Sequence, residues 1–165
     1  MSDHGTLVAE RYGVTRSTKW PSVERAHLAR SPECVACRRP GARVAVHHIF
    51  PFHICVLLGR PDLELDTRNL ITLCAESDER GAGDHHLLIG HFDDWESMNV
   101  HVGADARERF HGMTAVQLRA SEAWRKLVAG RPIDFSQMSA KTRRAVQEVM
   151  NRELPQAGRN RRQRA

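Results

Sequence analysis

Aromatic side chains are scarce in this chain. Of its 165 residues only 5% are Phe, Trp or Tyr, with a single tyrosine, so a small module here needs some other means of holding a core. No stretch approaches the roughly 20 apolar residues that a membrane helix requires, which argues against a membrane protein. The opening MSDHGTLVAERYG lacks the basic-then-apolar order of a signal peptide, which argues against secretion. The four cysteines are then expected to stay reduced, as thiols or metal ligands rather than disulfides. No internal repeat is visible. What is present is ordinary in amount: 41% hydrophobic and 27% charged residues describe a globular chain rather than a disordered one. The length suits one domain, or a small module with helical extensions. A net charge of +5 is compatible with a nucleic-acid partner without establishing one.

The unusual feature is ten histidines beside four cysteines, and their placement is uneven. Residues 33–95 hold all four cysteines and six of the histidines, and carry six basic against ten acidic groups, a net of −4. Residues 1–32 are at +2, residues 96–154 at +3 and residues 155–165 at +4. Metal-type residues and positive charge occupy different parts of the chain.

Local signals divide the chain into a flexible segment 1–19, a compact module 20–99, a helical extension 100–154 and a basic, disordered tail 155–165. Lys19-Trp20-Pro21 opens a helix that Pro32 stops, with Val23, Ala26 and His27 on one face. Arg43 to Ile49 and Asn69 to Cys74 read as short strands. The intervening stretch from Phe50 to Arg68, punctuated by Pro51, Gly59 and Pro61, reads as an extended loop. Ser77 to Asp84 is a polar, Gly-containing surface loop. A helix from about Asp84 to Ser97 follows, capped by Asp84. Thr114-Ala115-Val116-Gln117 forms a capping box for a helix to about Ala129, closed by Gly130. Ser139 caps a last helix through Arg152, with Ala145, Val146, Val149 and Met150 on one stripe.

Cys34-Val35-Ala36-Cys37 places two thiols on one tight turn, a spacing that grips a single tetrahedral Zn²⁺. Cys74 ends the second strand and His85 opens the helix after the Gly-containing loop. A Cys3His site from Cys34, Cys37, Cys74 and His85 would staple both strands to that helix. The alternative for Cys74 is a buried core thiol, but ligand types at successive element boundaries favour the metal. Cys55, inside an apolar run, could substitute for a ligand, but a buried structural cysteine is the commoner role. His47-His48, Asn69 and His86 form a second set. Neighbours on a strand point to opposite faces, so His47 and His48 can share one site only where the strand is ending, as Phe50-Pro51 suggests.

The order CVAC, VHHIFPFH, LELDTRNLITLC, HHLLIGHFDDW resembles the HNH endonucleases, and the lead-in WPSVERAHLARSPECVAC is similar to compact bacterial and phage members. The resemblance covers about Trp20 to Asn99. It implies an α+β fold with a ββα-metal core and a structural zinc site, flanked here by the N-terminal helix and the C-terminal helical annex. It implies His47 and His86 as ligands of a catalytic divalent ion, His48 as the general base, and Asn69 as the residue that braces the loop and orients that base. It places the structural zinc on Cys34, Cys37, Cys74 and His85. The family commonly has a second C-x-x-C followed directly by its last histidine; here Cys74 is followed by Ala75, Glu76 and Ser77, so His85 would stand in for the missing cysteine. His91 is a further candidate ligand, but it lies about 140° round an ideal helix from His86, so one ion should not take both easily and a structural or substrate-contact role is expected of it first.

The residue types suit phosphodiester hydrolysis. A neutral imidazole takes a proton from water, and an ion held by two imidazoles keeps open positions for phosphate and leaving group. Imidazole does not choose strongly among Zn²⁺, Ni²⁺, Mn²⁺ and Mg²⁺. Arg43, Arg60 and Arg68 are near enough in sequence to contact phosphate, although solvated surface arginine is the commoner role. The expectation is a metal-dependent endonuclease acting on DNA, in the cytoplasm of a bacterial or phage-infected cell. A noncatalytic zinc-stabilised module binding nucleic acid or protein is the alternative; it would have no use for His47, His48, Asn69 and His86 together.

Overall fold

Both expected strands form, and they pair with each other. The computed structural model describes residues 13, 15–76, 83–131 and 138–156. Helix α1 covers Trp20–Arg30, with Pro21 in its first turn, where a missing N–H costs nothing. Strand β1, Val44–His48, and strand β2, Leu70–Cys74, make a two-stranded antiparallel sheet in the register Val44↔Cys74 to His48↔Leu70. The ladder therefore includes His48, and the pleat sends His47 and His48 to opposite faces; the expected strand ending that would bring them together does not occur. All five residues of β2 are buried.

The connection from Phe50 to Arg68 is not an extended loop. Helix α2, Phe52–Leu57, starts after Pro51, and a 3₁₀ turn, Pro61–Glu64, starts at the second proline. Both prolines stand at helix starts, where their fixed φ is suited, and Ile54, Cys55 and Leu63 become fully buried. Asn69 closes this connection: its Nδ2 donates to the carbonyls of Phe50 and Leu63 (3.0 Å each), and its Oδ1 accepts the Phe50 N–H at 2.8 Å.

The expected helix over Asp84–Ser97 contracts to one π-helical turn, His86–Gly90. Asp84 Oδ1 still accepts the Leu87 N–H, at 3.3 Å. The turn stops because its last carbonyls are taken from outside. The Trp124 indole donates to Leu88 O, the Asn99 side chain to Ile89 O and the Asn99 N–H to Gly90 O. The chain then reverses through Phe92 and Asp93, both at positive φ (52° and 63°). The polar loop reading falls on residues 77–82, outside the described residues, while Gly83 is buried.

Beyond Asn99 the chain forms α3, Val102–Ala104, running into a second π turn, Asp105–Arg109. The capping box at Thr114 and Gln117 is present, but the helix it opens breaks at Ser121 into α4, Ala115–Ala120, and α5, Glu122–Ala129. Ser121 itself caps α5 by accepting the Trp124 N–H. Helix α6, Ala140–Glu153, is capped by Ser139 and buries Val146 and Met150. Two cores result. One joins Cys34, Ile71, Leu73 and the π turn to Val102, Phe110, Leu118 and Trp124. The other joins Phe50, Ile54 and Leu63 to Met98, Val146, Met150 and Leu154. Both draw on residues from either side of Asn99. No helix among the described residues is long and apolar enough to cross a membrane.

Candidate metal centres

Cys34, Cys37, Cys74 and His85 come together, one donor atom from each within 4.8 Å of every other, and can hold a metal ion such as zinc. The turn carrying the two thiols is tied to the sheet: Val35 N–H donates to Thr72 O at 3.0 Å, and Arg38, at φ 49°, folds back onto Cys34 O. Cys34 Sγ lies 3.4 Å from His85 Nδ1, and Cys37 Sγ lies 3.3 Å from Cys74 Sγ. His85 Nε2–H donates to Met113 O at 2.7 Å, which leaves Nδ1 as the ligand atom facing the thiols. Cys34, Cys74 and His85 are fully buried. The contact with Cys74 and the imidazole of His85 draw the Cys34 thiol down to about 3, whereas burial holds Cys37 above its usual range. Cys74 is also raised, first by its bond to Cys34. A set that places one thiolate among buried sulfurs suits a soft cation, and four protein donors leave no open position.

A second cluster uses the other face of the π turn. His47, His86 and His91 bring ring nitrogens within 4.8 Å of one another, with ring centroids 4.9 to 5.2 Å apart. His91 thus joins His86 on one side, contrary to the ideal-helix expectation. A π turn winds more widely than an α-helix, its hydrogen bonds spanning five residues rather than four, so positions five apart lie closer to one side than in an α-helix. His91 Nδ1–H donates to Ser97 O at 2.8 Å, leaving Nε2 for the cluster. His47 is 2% exposed, its Nε2 has no hydrogen-bond partner, and burial lowers its pKa well below the usual range. A buried, neutral, unpartnered imidazole nitrogen beside two others fits a divalent cation. Gly90 makes room for it: a Cβ there would lie 2.8 Å from His47 Cε1. Trp95 packs against both His86 and His91, at 5.1 and 4.9 Å. Three imidazoles leave at least one coordination position for water or substrate.

No family model, no curated protein and no solved structure matches this chain.

The two histidine doublets are each divided. His85 belongs to the thiol cluster and His86 to the imidazole cluster; His47 faces the imidazole cluster, and His48 faces away from it. His48 Nε2–H donates to Glu64 O at 2.9 Å, and its ring lies 4.4 Å from that of Trp20. Burial brings its pKa to about 4. Arg16 stands over the Trp20 ring at 4.9 Å, and the Ser17 N–H donates to the Glu64 carboxylate. Cys55 is a structural cysteine, as expected: its thiol donates to Phe50 O and is pushed up to about 12 by burial. Among the arginines, Arg43 pairs with Glu76 and Arg68 with Asp66, both at the surface. Arg60 departs from the surface expectation. Its side chain is 4% exposed and committed to Asp62 and Leu154 O, which turns it away from any phosphate. The sequence offers His91 as a further candidate ligand but not its convergence with His86, and it carries no signal for Gly90, Ser97 or Met113. The last three act through backbone geometry, and His91 depends on a helix type that an apolar period does not signal.

Proposed function

We propose that the chain is a metal-dependent endonuclease that hydrolyses DNA phosphodiester bonds, a member of the HNH group by its motif order. The observation that carries this reading is the imidazole cluster: three ring nitrogens, one of them buried and without a partner, beside a separate thiol cluster suited to a structural zinc. In this reading His47, His86 and His91 hold a divalent cation. Such an ion supplies Lewis-acid polarisation of a phosphoryl oxygen and neutralises charge at the leaving group. The Ser97 carbonyl fixes the His91 ring and the Glu64 carbonyl fixes the tautomer of His48. That bond leaves His48 Nδ1 as the acceptor for a proton from water. Asn69 holds Phe50 and Leu63 together, and so sets the chain that supplies Glu64.

One observation favours the second reading, a noncatalytic zinc-stabilised module that binds nucleic acid or protein. His48 is 6% exposed, lies under Trp20 and points away from the imidazole cluster. Plasmid cleavage separates the two. The nuclease reading expects cutting in Mg²⁺, Mn²⁺ or Ni²⁺, abolition by chelator, and a loss of about 10² to 10⁴ in rate for His48→Ala. Absence of cleavage by metal-loaded protein would favour the binding module, and full activity of His48→Ala would remove His48 as the base.

A further inference from the structure

Asp105 lies beyond the stretch that resembles the HNH endonucleases, yet it is only 5% exposed. Its Oδ2 accepts from Asn99 Nδ2 at 2.8 Å, and its Oδ1 pairs with Arg109 at 3.2 Å. Asn99 is buried as well and uses every polar group it has. Nδ2 also donates to Ile89 O at 3.0 Å, and Oδ1 accepts the His101 N–H at 2.9 Å. Its backbone N–H donates to Gly90 O at 2.9 Å, and its carbonyl accepts the Val102 N–H. Ile89 and Gly90 close the π turn, Gly90 lies against the His47 ring, and His91 comes next in the chain. Asn99 therefore grips the backbone between two of the three clustered imidazoles. A side-chain amide turned over by 180° fills the same space with oxygen and nitrogen exchanged. A carbonyl and a carboxylate only accept, so Ile89 O and Asp105 both demand the nitrogen, and the charged acceptor makes the stronger bond. A buried carboxylate is costly to desolvate. An apolar residue would suit the core that its neighbours Val102 and Ala106 enter.

We propose that Asp105 is a positioning residue of the imidazole cluster and acts through Asn99. It fixes which way the Asn99 amide faces, and Asn99 fixes the Ile89–Gly90 backbone that sets His91 and the His47 ring. The inference rests on that cluster holding a divalent cation, one part of the endonuclease reading, and it needs neither DNA nor cleavage. Ligand distances in a metal site hold to within about 0.2 Å, so a small drift of this backbone is felt at the ion. The segment after Asn99 thereby belongs to the second cluster, as Met113 O makes it belong to the first.

The test is a titration of the zinc-loaded full chain with Co²⁺, followed by visible absorption and calorimetry. Co²⁺ on imidazoles gives weak visible bands whose position and intensity follow the coordination geometry, without the near-ultraviolet band that thiolate ligands add. Asp105→Leu keeps the volume and removes the acceptor. It is expected to bind Co²⁺ about tenfold or more weaker and to change the bands of the ion that does bind. Asp105→Asn, whose Oδ1 can still accept from Asn99, should recover most of the affinity and the wild-type bands. Asn99→Asp sets oxygens against Asp105 and Ile89 O and should behave as Asp105→Leu does, so the question stays decidable if Asp105→Leu fails to fold. Leu118→Ala, a core deletion with no bond to Asn99, should lower the melting temperature and leave affinity and bands in place. The proposal is overturned if Asp105→Leu and Asn99→Asp keep wild-type affinity and bands, or if Leu118→Ala weakens the site equally. It is also overturned if Asp105→Asn falls as far as Asp105→Leu, or if wild type does not bind Co²⁺ at the imidazoles. Intact Co²⁺ binding without plasmid cleavage would sink the nuclease reading and leave the role of Asp105 standing; cleavage with unaltered variants would do the reverse.

Discussion

At the scale of single residues, the two clusters differ in what completes them. The thiol cluster has four protein donors and is sealed by burial. The imidazole cluster has three and keeps a position open. Each has one histidine whose far nitrogen is pinned by a backbone carbonyl, Met113 O for His85 and Ser97 O for His91, so the ligand tautomer is set before any ion arrives. Different variants should therefore empty different sites. Cys74→Ser is expected to lower zinc content measured by mass spectrometry and to destabilise the protein, because a structural zinc contributes folding free energy directly. His91→Ala should leave that zinc in place and weaken Ni²⁺ or Mn²⁺ binding at the second site by about tenfold or more in calorimetry. Loss of zinc from His91→Ala would show that the two clusters are not independent.

At the scale of elements, the π turn does the most. It is the reason that His86 and His91 converge, and its last residue, Gly90, is where backbone passes against the His47 ring. Gly90→Ala is expected to push that ring aside, cost about 1 to 3 kcal/mol in chemical denaturation, and lower affinity at the imidazole cluster while zinc at the thiols is kept. Unchanged affinity would mean that the ring can shift without consequence.

Elements with local instructions were legible in the sequence: the two strands, the capping box at Thr114, the Ser139 cap and the ligand spacing from Cys34 to His85. Others depend on distant partners. The helix after Asp84 stops where Asn99 and Trp124 take its carbonyls. The helix after Thr114 breaks where Ser121 caps Trp124, and Phe52–Leu57 turns helical because Ile54 and Cys55 have a core to enter. No local pattern carries those contacts.

At the scale of the whole molecule, three buried imidazoles contribute to the response to acid. His27, which donates to Thr72 Oγ1 at 3.2 Å, and His47 and His48 are all lowered from the ordinary 6.5, burial being the first cause in each. The unfolded chain takes up protons at these sites more readily than the folded one. Their stabilising effect is complete above about 6.5 and declines as pH falls below it, continuing for His48 to about 4. Metal-free protein should therefore lose up to about 1.4 kcal/mol per pH unit for each such imidazole, read as a falling urea midpoint. His27→Gln should make the decline shallower. A midpoint that stays level across that window would mean that these rings take protons freely in the folded state.

The three tryptophans have a consequence for observing this molecule. Trp20 lies on His48, Trp95 on His86 and His91, and the Trp124 indole on the carbonyl of Leu88. Each fluorophore thus stands at a different place: the isolated histidine, the imidazole cluster and the shared core. Single-tryptophan versions of the chain would turn its intrinsic emission into three separate optical channels, so that ion binding, exposure of His48 and global unfolding can be timed independently without any added label.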